Sequence, residues 1–360
     1  MTLRRRVLAL MALLLIALIG LLYVQTRPPP ILTVMTWPGV YGRAQASAQM
    51  RAYAAEKNVD VRPAFWEGEL ADIAAMVEKR QFKADVIDFE LPGAVAACRR
   101  GLLEKIDPAL LPPGADGVPA SRDFVAGAIG PCWVGSMVYS QVMIFSPKLA
   151  RAPATLADFF DRRKFPGRRA LNRAGPKFNL EMALLADGVA PNDVYRTLKT
   201  PEGLDRAFAK LSALRPIWAH DSTDAVNWVK NGQAIMAAAL NGDALGQKDF
   251  TPGVIWDRQL YEMDVFAIPA GNPNKARALD FIAYATGSAP LAGAANWVAF
   301  GPARRSAIAL VKTNPETGRP MRHLLPTAPE NFRNAFAIDA GWWLTHGAGI
   351  APRWQEFVSR

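Results

Sequence analysis

The chain has 360 residues, of which 51% are hydrophobic and 21% are charged, and its formal net charge is +10. This composition is typical of a globular protein of one large domain or two ordinary ones, and it excludes an intrinsically disordered chain. The Lys and Arg residues are scattered, so we interpret the basic excess as a solvated surface and expect no nucleic-acid partner.

The N-terminus predicts export across a membrane. Arginines at positions 4–6 precede an uncharged apolar run over residues 7–24. Such a segment is typical of a secretion signal or of an uncleaved membrane anchor. We assign residues 1–30 to it and keep both interpretations open, because no good small-x-small cleavage site follows the run. In either case the remainder of the chain is expected in the periplasm.

The first part of the exported chain alternates predicted strands and helices. Strands are expected over residues 31–37, 59–66 and 84–89, and helices over residues 43–57, 68–80 and 92–100. This order is typical of an open parallel sheet, whose ligands bind beyond the carboxyl ends of the strands. The residues expected at those ends are Trp37, Trp66, Phe89 and Glu90.

A long β-prone run over residues 134–146 leads to a second α/β pattern. It comprises predicted strands over residues 169–172, 235–240 and 263–269, and helices over residues 179–187, 202–214, 222–231 (capped by Ser222) and 274–285, with a mainly helical tail from Gly301. Two such units predict two lobes with a ligand cleft between them. We assign residues 31–138 and 263–300 to lobe 1, and residues 139–262 and 301–360 to lobe 2 and the C-terminal helices.

The sequence lacks the signatures of several large enzyme classes. It has no G-x-S-x-G, G-x-x-x-x-G-K-[ST], H-E-x-x-H or G-x-G-x-x-G motif. Its three histidines leave little for general-base chemistry, and none has metal-ligand spacing with a cysteine. We therefore expect a binding protein with no cofactor or metal, with a hydrolase built on paired carboxylates as the alternative.

Several side chains are candidates for holding a ligand. Aromatic residues at the predicted strand ends and in the following turns, such as Trp37, Tyr41 and Phe89, can bury alkyl chains and face cations. Asp264 interrupts an apolar strand, which is costly unless the carboxylate meets solvent, a ligand ammonium or a basic side chain. Glu90 receives the same interpretation. Arg173 ends a predicted strand, where it is either a partner for a ligand carboxylate or an ordinary surface arginine.

The chain has two cysteines, Cys98 and Cys132. In an exported protein this number favours one disulfide, with two buried free thiols as the alternative.

Five stretches of the sequence, in the same order, resemble segments of the extracellular solute-binding proteins of ABC importers, in the branch of the spermidine/putrescine-binding proteins. They comprise residues 84–104, 155–171, 239–244, 263–286 and 300–307. The resemblance covers the chain from Ile31 to the C-terminus. It implies a type II periplasmic binding protein fold, two α/β lobes that close on a ligand, and a monomer that delivers this ligand to an ABC permease in the inner membrane.

The resemblance also implies roles for individual residues. Asp264 corresponds to the acid that holds a ligand amine, Trp37 to a tryptophan along the alkyl path, and Asn241 to the asparagine of an N-G segment. Phe89 and Glu90 correspond to a segment that contributes aromatic and polar groups to the site.

Two departures from the family pattern bear on the ligand. Leu240 replaces a tryptophan, and Asn-Arg-Ala-Gly at residues 172–175 stands where polyamine binders carry acids. Arg173 fits a ligand with one amine and one carboxylate, so a polyamine and an ω-amino acid such as γ-aminobutyrate (GABA) both stay open. A membrane-tethered ligand sensor or scaffold with the same fold is the alternative function.

Overall fold

The computed structural model describes residues 28–359 together with Met11 and Leu15. The anchor or signal predicted over residues 7–24 therefore lies outside the described residues, apart from those two positions. Among the residues described, no helix is both long enough and apolar enough to cross a bilayer.

The described part of the chain forms one mixed sheet flanked by helices. Its strands are β1 (Ile31–Thr36), β2 (Asp60–Phe65), β3 (Val86–Glu90), β4 (Val134–Phe145), β5 (Arg169–Asn172), β6 (Ile217–Ala219), β7 (Met236–Leu240), β8 (Gly253–Ala267), β9 (Gly301–Pro302) and β10 (Phe336–Ala337). Its α-helices are α1 (Gly39–Gln45), α2 (Arg51–Lys57), α3 (Leu70–Glu78), α4 (Leu91–Arg99), α5 (Ala120–Asp123), α6 (Leu156–Phe160), α7 (Asn179–Ala186), α8 (Val194–Leu198), α9 (Pro201–Leu214), α10 (Ser222–Lys230), α11 (Asn241–Leu245), α12 (Lys275–Ala285), α13 (Ser288–Ala295) and α14 (Ala340–Ser359). A π-helical turn over Ala46–Met50 joins α1 to α2.

Two parallel units are joined through a central antiparallel region. The strand order is β2-β1-β3-β8-β4-β7-β5-β6, with β9 and β10 pairing β4 and β8 from outside this path. Strands β1–β3 are parallel, as are β5–β7, whereas β8 runs antiparallel to β3 and β4. The long strands β4 and β8 pair from Val134↔Phe266 to Phe145↔Gly253 and so run from one unit to the other.

The hydrophobic core has separate parts that follow this division. One cluster surrounds β1–β3 and contains Leu32, Val86 and Phe281. The second unit has a cluster on each face of its sheet, because side chains alternate along a strand: Ala237 of β7 lies in one cluster and Ala238 in the other. The lobe boundaries predicted at residues 138/139 and 262/263 fall inside β4 and β8. They stay a prediction.

The predicted elements are largely present, with three corrections. Strand β8 begins at Gly253, ten residues before the predicted start. Helix α10 is capped by Asp221, whose Oδ1 accepts from the Asp224 amide (2.8 Å), while Ser222 Oγ accepts from the Leu240 amide (2.7 Å). The segment over residues 301–339 contains short strands and 3₁₀ turns rather than long helices. Its prolines remove backbone donors and clash with a preceding helical turn.

Cys98 of α4 is bonded to Cys132, just before β4. The predicted disulfide is therefore confirmed, and it ties α4 to the entrance of the first crossing strand.

Candidate ligand-binding site

Strands β3 and β8 bring several acidic side chains to one face of the sheet. Glu90 lies opposite Asp264 in the antiparallel register, and Asp88 lies opposite Phe266. Because strand side chains alternate, Asp88, Glu90, Glu262 and Asp264 share this face. We call these four residues the acidic cluster. Three of them are nearly inaccessible, with exposures of 0% for Asp88, 2% for Glu262 and 4% for Asp264.

The acidic cluster is electrostatically unfavourable in the unliganded protein. Burial raises the pKa of Asp88 and of Asp264 well above the ordinary range, and for Asp264 the other carboxylates of the cluster add to the effect. The side chains of Gln45, Tyr41 and Thr36 only partly offset the rise in the pKa of Asp88. Among the described residues, Glu262 Oε1 has no hydrogen-bond partner. Buried carboxylates in this arrangement favour a cation, because a positive charge nearby stabilises their ionised forms.

Trp37 and Tyr41 lie beside the acidic cluster. The Trp37 indole follows β1, is half-buried, and partly offsets the rise in the pKa of Asp264. Its centroid is 6.3 Å from that of Trp66. The Tyr41 hydroxyl accepts from Gln45 Nε2 (3.1 Å), and burial together with Asp88 and Asp264 raises the pKa of this phenol. The structure thus brings Trp37, Tyr41, Glu90 and Asp264 together, and their contact with a ligand stays a prediction.

Lys177 is the basic residue that reaches the acidic cluster. Its Nζ lies 2.5 Å from Glu262 Oε2, to which the Tyr139 hydroxyl also donates (3.0 Å). Burial by itself lowers the pKa of Lys177, but Glu262 and Glu90 raise it by more, so the net shift is upward and the ammonium stays charged. Lys177 lies in the loop between β5 and α7, in the second unit. Sequence reasoning missed it.

The other predicted site residues are placed differently. Arg173, at the start of the same loop, is exposed, and its backbone carbonyl accepts from Trp354 Nε1 (2.8 Å). Phe89 is on the opposite face of β3 from the acidic cluster, edge-on to Trp66 at 5.9 Å. Both ends of the Asn241 amide are engaged: Oδ1 accepts from the Ser140 amide (2.8 Å) and Nδ2 donates to the Ala299 carbonyl. Direct ligand contacts by these three residues stay predictions.

A cavity of about 640 Å³ is lined by residues of both units. Its lining includes Glu262 but no other member of the acidic cluster, and neither Trp37 nor Tyr41. Leu91 and Val95 of α4 line it from the first unit, and Pro191 and Tyr195 line it from the second. Its volume is within the range of roughly 300–1,000 Å³ that is usual for small-molecule sites.

A further buried acid lies next to this cavity. Glu181 of α7 is fully buried, and its Oε1 accepts from Trp343 Nε1 (2.5 Å) and from the Tyr195 hydroxyl (3.1 Å). Burial raises the pKa of Glu181 to about 7, against the opposing effect of these two donors. The residue is therefore titratable near neutral pH.

Comparison with known proteins identifies the family. Residues 48–318 match the family described as bacterial extracellular solute-binding protein. The chain belongs to this family. A γ-aminobutyric-acid-binding protein of Pseudomonas aeruginosa is 38% identical over 334 residues, which cover 91% of each protein.

Solved structures of solute-binding proteins share the fold. A GABA receptor is 27% identical with a TM-score of 0.75, and the match covers 91% of this chain and 97% of that one. An ABC transporter substrate-binding protein from Bradyrhizobium japonicum is 26% identical with a TM-score of 0.76, over 91% and 99% of the two chains.

These relationships confirm the main sequence predictions. The fold is that of a type II periplasmic binding protein, with two lobes and a cleft. The chain is a solute-binding component of an ABC importer and not an enzyme. An extracytoplasmic location follows from the family.

Proposed function

We propose that this protein binds GABA, or an ω-amino acid closely related to it, in the cleft and delivers it to an ABC permease. The observation that carries the proposal is the buried Asp264 carboxylate, which lies in an acidic cluster beside Trp37 and Tyr41. The 38% identity to a GABA-binding protein supports this ligand. We further propose that the protein acts as a monomer in the periplasm, with a permease of the inner membrane as its partner.

The proposed binding mode uses each end of the ligand differently. The ligand ammonium pairs with Asp264 and Glu90 through charge-assisted hydrogen bonds, which are roughly twice as strong as neutral ones. Trp37 and Tyr41 bury the methylene groups, each contributing about 0.8 kcal/mol. The ligand carboxylate faces the second lobe, where the loop after β5 carries the basic residues Arg173 and Lys177.

Closure follows from the architecture. Strands β4 and β8 connect the two lobes, so bending within them changes the width of the cleft. Closing excludes water, and this strengthens the ion pairs at the ligand because the local dielectric constant falls.

A polyamine is the second candidate, because a cluster of four carboxylates could hold more than one ammonium. A ligand screen separates the two. We expect GABA to stabilise the purified protein and raise its melting temperature. At a GABA concentration of 100 times its Kd, the free energy of unfolding should increase by about 2.7 kcal/mol. Calorimetry with GABA, putrescine, spermidine and lysine then ranks the ligands. If GABA gives neither binding heat nor stabilisation, the proposal is wrong. If putrescine alone binds, the polyamine candidate replaces it.

A further inference from the structure

The acidic cluster contains more carboxyl groups than one ligand ammonium needs. Glu262 and Asp264 are two positions apart on the same face of β8, which separates them by about 7 Å along the strand. This spacing is comparable to that of the two ammonium groups of a short diamine. Judged by its carboxylates alone, the cluster would accept a diamine with one nitrogen at Asp264 and the other at Glu262.

Lys177 already occupies the second of these places. Its ammonium contacts Glu262 Oε2 at 2.5 Å, and the side-chain exposures are 28% for Lys177 and 1% for Glu262. The Tyr139 hydroxyl donates to the same oxygen, so this carboxylate is held from two sides. Asp264, by contrast, has no comparable basic partner among the described residues.

The loop that carries Lys177 is held in place by its own hydrogen bonds. Asn179 Nδ2 donates to the carbonyls of Asn172 (3.0 Å) and Gly175 (2.9 Å), which closes the loop between β5 and α7. Phe178 has a positive φ of 69°, and its ring lies 5.2 Å from the Lys177 ammonium. These contacts fix the conformation of the loop and therefore hold the Lys177 side chain in position against Glu262.

We propose that Lys177 takes the place of a second ligand ammonium and so restricts the site to ligands with a single ammonium group. This inference rests on the proposed amine-binding function and names the residue that sets its specificity. A diamine nitrogen at Glu262 meets a like charge, which is unfavourable in a buried site. A ligand carboxylate on the same side is favoured, because the lysine has three donors and Glu262 takes one.

The test compares three ligands of similar length: putrescine, n-butylamine and GABA. Calorimetry gives the affinity of each for the wild type and for Lys177→Met. We expect the ratio of putrescine to n-butylamine affinity to rise at least ten-fold in the variant, and the ratio of GABA to n-butylamine affinity to fall at least ten-fold. Lys177→Arg keeps the charge and should preserve the wild-type ranking.

Two further variants make the result specific. In Lys177→Met/Glu262→Gln the second ammonium has lost its carboxylate, so the gain for putrescine should disappear. Lys275→Met is the matched control, because it removes a lysine paired with Glu104 at 2.6 Å outside the acidic cluster, and it should leave both ratios unchanged.

An unchanged putrescine to n-butylamine ratio in a folded Lys177→Met protein overturns the inference, as does an equal shift in Lys275→Met. The melting temperature of each variant, measured without ligand, establishes that it is folded. If the wild type does not bind GABA, the proposed ligand is wrong. The affinities for putrescine and n-butylamine still test the role of Lys177 in that case. If neither the wild type nor Lys177→Met binds any of the three compounds, both the proposed ligand and the proposed role of Lys177 are wrong.

Discussion

Asp264→Asn should separate ligand affinity from stability. Asp264 is 4% exposed, and burial together with Asp88, Glu90 and Glu262 raises its pKa. A hydrogen bond to a charged group contributes about 1.5–3 kcal/mol, so losing the carboxylate charge should weaken GABA binding by roughly 10- to 150-fold. The same change should stabilise the unliganded protein at neutral pH, because a raised carboxyl pKa means that the folded state opposes ionisation.

Isothermal titration calorimetry gives the affinity, and chemical denaturation without ligand gives the free energy of unfolding. The control is Asp205→Asn, which removes an exposed carboxylate that pairs with Arg353 at 2.6 Å on the surface of the second lobe. It should not change the affinity. Unchanged GABA affinity in Asp264→Asn would remove this residue from the site. A large loss of unliganded stability would instead show that the carboxylate has a structural role.

Three further predictions concern protons and the ligand carboxylate. The Glu181 pKa of about 7, raised from 4.5, should make the wild type lose about 3 kcal/mol of unfolding free energy between about pH 4 and pH 8. Glu181→Gln should lack this component, and parallel curves for the two proteins from denaturation at each pH would contradict the prediction. GABA binding should release protons and tighten as pH rises towards neutrality, because the ligand ammonium lowers the raised pKa values of Asp88 and Asp264. Calorimetry in two buffers of different ionisation enthalpy measures this release, and proton uptake would refute it. Arg173→Ala should weaken GABA more than putrescine, and equal losses would exclude Arg173 as a carboxylate partner.

The acidic residues Asp264 and Glu90 could be predicted from the sequence because each stands out within its own strand. Asp264 stands out as an acid in an apolar strand, and Glu90 stands at the end of a buried one. The placement of Trp37 follows from its position after the first strand. These are local signals, since each depends on the residue and on its own strand.

The rest of the site depends on contacts between distant segments. Glu262 belongs to the part of β8 that precedes the predicted strand, where polar residues hide the apolar pattern of a buried strand. One of these polar residues, Gln259, is buried because its amide donates to the carbonyls of Pro326 (2.9 Å) and Asn331 (2.8 Å), which lie far away in the sequence. Lys177 meets Glu262 across 85 positions of the chain, and nothing within its own loop distinguishes it from Arg173. Sequence analysis therefore singles out Arg173 in this loop and does not find the contact between Lys177 and Glu262.

The proposed function depends most on an acidic side chain of the first lobe holding the ligand nitrogen. A crystal structure of the protein with GABA bound measures this directly. We predict that the ligand nitrogen lies about 2.7–2.9 Å from a carboxylate oxygen of Asp264, with the ligand carboxylate turned towards the second lobe. A GABA molecule bound with its carboxylate against the acidic cluster, or outside the cleft altogether, would contradict the proposed binding mode.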